Sequence, residues 1–187
     1  PGTGWSSPVL ARGKLFVTTA VGEKGGPTSL RAICVDAKDG HIVWNTEVFQ
    51  PDAKAIGEMH AKNSLASPTP IVDGDRLYVH FGHMGTAALD LNGNVVWRQT
   101  SLAYHPRHGT GGSPQLVGEL LVFSCDGSEN PFIAALDRKT GDVRWKVDRQ
   151  TKAMKTFSFS TPAAIEVDGQ QQVISPGSGL VGAYDPR

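Results

Sequence analysis

Apolar residues along this chain come in short runs separated by Gly, Pro, Asn and Asp. Leu15-Phe16-Val17, Leu77-Tyr78-Val79, Leu120-Leu121-Val122-Phe123 and Val173-Ile174 are the clearest. Short runs bounded by turn formers predict an all-β protein with many tight turns. Each run follows, across a Gly-containing turn, a Ser/Thr-Pro step: Ser7-Pro8-Val9-Leu10, Thr69-Pro70-Ile71-Val72, Ser113-Pro114-Gln115-Leu116 and Thr161-Pro162-Ala163-Ala164. A proline at a strand start costs least, because its missing N–H is not needed by the ladder.

A second motif follows each run and makes the repeat explicit. Ala32-Ile33-Cys34-Val35-Asp36 leads through Gly40 to Trp44, Ala87-Ala88-Leu89-Asp90 through Gly93 to Trp97, and Ala134-Ala135-Leu136-Asp137 through Gly141 to Trp145. A fourth copy opens at Gly182-Ala183-Tyr184-Asp185, and the sequence stops inside it. The tryptophans recur at intervals of 53 and 48 residues. Each unit therefore reads as four short strands, A to D, with A after the Pro, B in the apolar run, C ending at the Asp and D carrying the Trp. The aspartates can accept hydrogen bonds from the N–H groups of the turn they open, and the glycines supply the positive φ a hairpin turn needs. A four-stranded unit of this size cannot bury both sheet faces alone. Radial stacking of such units solves this, which is the β-propeller arrangement.

The Ala-x-Asp-x-x-x-Gly-x-x-x-Trp pattern resembles the tryptophan-docking repeat of PQQ-type propellers, a group that includes quinoprotein alcohol dehydrogenases and the BamB scaffold of outer-membrane barrel assembly. The resemblance implies that each Trp packs between neighbouring blades, so Trp44 and Trp97 are expected to be buried and Trp145 more exposed. It also implies a periplasmic or other extracytoplasmic setting and a ring of seven or eight blades. The whole chain is then one partial propeller, with blades at approximately 1–49, 66–101, 109–149 and 157–187, the last incomplete. Residue 1 is Pro rather than Met and no signal segment is visible, which fits a fragment of a longer propeller.

Composition narrows the function. Eighteen Lys and Arg balance eighteen Asp and Glu, and a net charge of zero argues against nucleic acid as a partner. No stretch approaches about 20 apolar residues, so no transmembrane helix is expected. Cys34 and Cys125 are far apart, with neither a CxxC nor an adjacent pair, and read as small buried apolar residues.

In an antiparallel blade the A–B and C–D turns lie at one end and the B–C and D–A loops at the other. The second end carries the long loops, predicted over 18–29, 46–66, 81–86, 98–112, 124–131 and 147–160, and long loops on a rigid scaffold are where binding residues gather. Five of the six histidines fall on or beside these loops: His60, His80, His83, His105 and His108. Together with Arg107, the residues His60, His83, His105 and His108 mark a candidate binding face for a protein or small-molecule ligand. Loop spacing alone does not make three or four imidazoles converge on a metal. Gly109-Thr110-Gly111-Gly112-Ser113 reads as a close approach of inner strands rather than a phosphate loop, Asp126-Gly127-Ser128-Glu129-Asn130 as a turn, and Arg149, Lys152 and Lys155 as a solvated basic loop. The expected role is a non-catalytic binding or scaffold module whose other partner is the rest of its ring. The alternative is a piece of a PQQ-dependent dehydrogenase. In that family the quinone stacks between a Trp and an adjacent-cysteine disulfide, with Ca²⁺ held by Glu and Asn and an Asp as base. None of these matches a residue here, so no catalytic residue, metal or cofactor is expected in this stretch.

Overall fold

The computed structural model describes residues 2–22, 27–57 and 59–187. Fifteen strands form four separate antiparallel sheets, each a meander in sequence order. Blade one contains β1 (Val9–Ala11), β2 (Lys14–Gly22), β3 (Thr28–Asp36) and β4 (Ile42–Phe49). Blade two contains β5 (Ile71–Asp73), β6 (Arg76–His80), β7 (Thr86–Asp90) and β8 (Val95–Gln99). Blade three contains β9 (Gln115–Val117), β10 (Leu120–Cys125), β11 (Phe132–Asp137) and β12 (Val143–Asp148). Blade four has three strands, β13 (Ala163–Val167), β14 (Gln170–Gly177) and β15 (Leu180–Tyr184). This is a partial β-propeller of about four blades. The helical segments among the described residues are α1 (Ala53–Ile56) and a 3₁₀ turn at Gly82–Met84.

Every first strand begins on the residue after its Pro, and the third strands of blades one to three end on Asp36, Asp90 and Asp137. Those carboxylates close the next turn as the sequence suggests. Asp36 Oδ1 accepts from the Lys38 amide, Asp90 Oδ1 from Asn92 and Asn94, and Asp137 Oδ1 from Lys139 and Thr140. Hydrogen bonds hold the Asp90 and Asp137 carboxyls below the ordinary Asp range, the Asn94 side-chain amide, which donates to Asp90 Oδ2, contributing most to the first and the Lys139 backbone amide to the second.

In blades one to three the second and third strands carry buried residues on both faces and the fourth strands are more exposed, so the core lies between blades. Phe16, Leu30, Leu77, Val79, Phe81 and Leu89 fill the first interface. Tyr78, Ala88, Trp97, Leu121 and Phe123 fill the second, and Val117, Val122, Ile133 and Val173 the third.

Two polar series tie successive blades together. At the inner end, the Ser7 amide donates to Thr69 Oγ1, the Thr69 amide to Ser113 Oγ and the Ser113 amide to Thr161 Oγ1, at 2.9–3.2 Å. The hydroxyls of Thr69, Ser113 and Thr161 thus each receive an N–H from the blade before. At the outer end, Trp44 Nε1 donates to the Leu91 carbonyl, Trp97 Nε1 to Arg138 and Trp145 Nε1 to Pro186, at 3.0–3.2 Å. In each case the acceptor is the residue after the next unit's Asp. The indoles of Trp44 and Trp97 lie over Gly93 and Gly141, where a Cβ would come within 2.8 and 2.6 Å of the ring. Those turn glycines are required twice, for φ of +88° and +80° and for the space they leave. Blades one to three also share a register shift just before the Trp. Cys34 pairs with Trp44 and Val35 with Ile42, Ala88 with Trp97 and Leu89 with Val95, and Ala135 with Trp145 and Leu136 with Val143. The extra residue is Val43, Val96 or Arg144, and such a bulge re-aims the side chain beside it.

The tryptophans differ in burial. Trp97 is 8% exposed as expected, whereas Trp44, expected to be buried, is half-buried like Trp145. The loop expected over 18–29 is mostly strand, since β2 and β3 pair as far as Gly22 and Thr28; residues 23–26 lie outside the described residues. Among the described residues no helix is long and apolar enough to cross a membrane.

Candidate functional site

The end of the molecule opposite the C–D turns carries three inter-blade connectors, at 50–70, 100–114 and 149–162. They run against each other. The Asn63 amide nitrogen donates to the carbonyls of His108 and Thr110, and the His60 amide to His108 at 3.5 Å. Thr110 lies so close to Gly82 that a Cβ there would fall 1.8 Å from its hydroxyl. Gly109, Gly111 and Gly112 likewise face Met59, Phe159 and the Ser160 carbonyl within 3.2 Å of an added Cβ, so the glycine-rich run is a close approach of chain to chain. His108 takes the left-handed conformation, with φ of +66°.

The predicted site residues fall into two neighbouring groups. His60 and His108 meet edge to face at 5.1 Å, His108 meets Phe157 at 5.6 Å, and Phe157 meets Phe159 at 5.9 Å. Three of these four rings, His60, His108 and Phe159, one from each connector, line a cavity of about 370 Å³ together with Lys62, Asn63 and Gly111. Phe159 is 43% exposed. His60 Nδ1 accepts the Lys62 amide, which leaves the proton of the neutral ring on Nε2. His83, His105 and Arg107 belong to a second cavity of about 440 Å³, which also includes Lys54 and Tyr104. His83 Nε2 donates to the Ala55 carbonyl at 2.7 Å, and its Nδ1 is buried without a partner. Burial pushes the His83 imidazole below the ordinary histidine range.

Two further polar groups were not legible as such. His80 is in the core, not on the loops. It stacks on Phe123 at 4.4 Å, its Nδ1 is 2.8 Å from Thr86 Oγ1, and its Nε2 has no partner. Burial lowers it to about 3. Arg149 is not part of a solvated basic loop. It forms an ion pair with Asp126 at 3.0 Å, both side chains being 1% exposed. Its guanidinium also donates to Ser124, Ser175 and the Pro176 carbonyl, while Ser158 donates to Asp126. The network joins blades three and four. Desolvation pushes the Asp126 carboxyl up, against the pull of the Ser158 hydroxyl and Arg149. The pairing Phe157-Ser158-Phe159, an apolar-polar-apolar alternation inside a connector, was the one local sign of the ring arc and the Asp126 partner.

For metal ligation, Asp36, Asp39 and His41 bring ligand atoms within 4.8 Å of one another on the exposed turn of blade one, where His41 Nδ1 already meets Asp39 at 2.6 Å. Cys34 and Cys125 are buried and unpaired on different blades, and burial raises both thiols.

A family model described as outer membrane protein assembly factor BamB matches residues 1–145. Among solved structures, a europium-containing methanol dehydrogenase aligns with a TM-score of 0.68 at 17% identity, over 97% of this chain and 39% of its own. The quinohemoprotein alcohol dehydrogenase ADHIIG from Pseudomonas putida HK5 aligns with a TM-score of 0.64 at 15% identity, over 98% and 32%. BamB from Moraxella catarrhalis aligns with a TM-score of 0.56 at 18% identity, over 98% and 59%. The chain therefore spans between about a third and three fifths of the length of these structures. No curated protein matches it.

Proposed function

The chain belongs to the BamB-type family of PQQ-repeat propellers, and from that premise we propose that it is a non-catalytic binding or scaffold module that meets its ligand through the inter-blade loops. The observation that carries the reading is the convergence of three connectors on one ring-lined cavity, where His60, His108, Phe157 and Phe159 meet edge to face and the Asn63 side chain donates to the His108 carbonyl. Aromatic side chains partly open to solvent on a rigid scaffold are the composition of a recognition surface. A setting outside the cytoplasm and the use of the tryptophans as blade-to-blade docking groups belong to the same proposal.

A photo-crosslinking amino acid tests it. Placed at His60 or Phe159 it should give a discrete adduct in the native extract, and placed at Asn92 or Lys139, at the opposite end, it should not. Equal adducts at both ends would refute the loop-face reading. The second reading, a piece of a PQQ-dependent dehydrogenase, draws on the likeness of fold to the two dehydrogenases. Incubation with PQQ and Ca²⁺, followed by fluorescence titration and a dye-linked alcohol oxidation assay, separates the two. The scaffold reading expects no saturable binding tighter than about 10 μM, roughly −7 kcal/mol, and no dye reduction.

A further inference from the structure

Blade two turns between β7 and β8 through Leu91-Asn92-Gly93-Asn94, and blade one clamps this turn on both sides of Asn92. Asn92 is exposed, whereas Gly93 is buried. Gly93 lies under the Trp44 indole, where a Cβ would meet the ring at 2.8 Å. Its carbonyl accepts the Thr46 hydroxyl at 2.8 Å, and the Leu91 carbonyl accepts Trp44 Nε1 at 3.0 Å. Within the turn, the Gly93 amide donates to the Asp90 carbonyl at 3.1 Å. The Asp90 carboxylate takes the backbone amides of Asn92 and Asn94 and the Asn94 side chain. The cover over Gly93 comes from blade one and not from the turn itself: at Gly40, the corresponding glycine of blade one, an added Cβ would meet nothing within 4 Å.

Asn followed by Gly carries a chemistry of its own. The Gly nitrogen, with no Cβ beside it to hinder approach, attacks the side-chain carbonyl carbon of the Asn. The new C–N bond closes a cyclic imide, the Gly N–H proton is lost, and the side-chain nitrogen leaves as ammonia. Water then opens the imide at either carbonyl, giving aspartate or isoaspartate. Both products exchange a neutral amide for a carboxylate, and isoaspartate also lengthens the backbone by a methylene. The attack needs the Gly93 amide released from Asp90 and the backbone rotated until the Asn92 side chain reaches it. The bonds from Trp44 and Thr46 to Leu91 and Gly93 oppose that rotation. We propose that Asn92-Gly93 is a deamidation site held closed by blade one: the imide forms when Trp44 and Thr46 lift from the turn, through the local opening that any packed segment undergoes. The isoaspartate product puts a charge and an extra methylene into the seat of Trp44 and loosens it. A transient separation of blades one and two thus leaves a covalent mark that reclosure does not erase.

The test incubates the whole chain in mildly alkaline buffer, folded or in urea. Peptide mass mapping locates deamidation, and isoaspartyl methyltransferase labels the isoaspartate product. Asn92 of the folded parent should react at least about tenfold more slowly than in urea, the effect of an opening free energy of about 1.4 kcal/mol. Trp44→Ala should raise the folded rate at Asn92 several-fold and leave Asn63, which precedes Ser64 in a connector, at the parent rate. Asn63 thereby separates local release from unfolding. If Trp44→Ala accelerates both sites or fails to fold, Thr46→Val decides: a rise confined to Asn92 supports the clamp, and no rise overturns it. A parent that reacts at Asn92 as fast folded as in urea, or a folded Trp44→Ala chain with the parent's rate there, also overturns the proposal. The isoaspartyl chain, separated by ion exchange, should melt below both the parent and Asn92→Asp, which adds the charge without the methylene. Equal melting of the isoaspartyl chain and the parent would show that the mark does not loosen the seat of Trp44.

Discussion

Single residues set the sensitivity of this molecule to acid and to loss of charge. His80 is buried, neutral and lowered to about 3, whereas the unfolded chain would titrate near the ordinary value of 6.5. Between those values the unfolded state binds the extra proton, so acidification favours unfolding, and the stability present above pH 6.5 drains away as the pH falls toward 3. Each pH unit in that window costs about 1.4 kcal/mol. Urea titrations at pH 6 and pH 4 should show a smaller acid loss for His80→Asn than for the parent. The Asp126–Arg149 pair behaves differently. Arg149→Ala leaves a buried carboxylate without its cation and should cost about 3–5 kcal/mol. Asp126→Leu combined with Arg149→Met removes both charges and should cost clearly less. Equilibrium unfolding of the two variants checks this, and a double variant as unstable as the single would show that the pair itself stabilises the third interface.

At the scale of elements, the blade-to-blade contacts rest on a few atoms repeated with the unit. Trp97→Ala removes a nearly buried indole and its bond to the Arg138 carbonyl, and should cost about 3–5 kcal/mol. Trp44→Ala, on the more exposed rim, should cost less; thermal melts in which the two lose equally would contradict the burial difference. These elements were largely legible, because Pro, Asp, Gly and Trp each perform a backbone or packing task that is fixed within one unit. The Ser/Thr before each Pro was visible but not its purpose, since its hydroxyl serves the neighbouring blade some 44 to 62 residues away. The bulge before each Trp was hidden for a related reason: Val43, Val96 and Arg144 share no residue type, and only pairing register exposes them. Arg149 read as solvated because its partners Asp126 and Ser175 come from two different blades. The loop histidines were placed on the correct end, apart from His80, whose neighbour Phe123 belongs to another unit.

At the scale of the whole molecule, glycines at the loop end let side chains of neighbouring segments seat directly on the backbone, Thr110 on Gly82, Met59 on Gly109 and Phe159 on Gly111. Gly82→Ala would force a Cβ onto Thr110 in a positive-φ position, at a cost of about 1–3 kcal/mol or more. It should lower the melting temperature and raise amide exchange over 103–110, and unchanged exchange there would show that the connectors do not brace each other. The inter-blade contacts have one more property, which is direction. Blades one to three each give an N–H at the inner end and an indole N–H at the outer end to the next blade, and blades two to four receive both from the blade before. Such a contact is heterologous: giver and receiver are different surfaces. A two-fold axis would set like against like and leave both series unmatched. A discrete symmetric dimer built through these blade edges would therefore satisfy neither series, and sedimentation should show none.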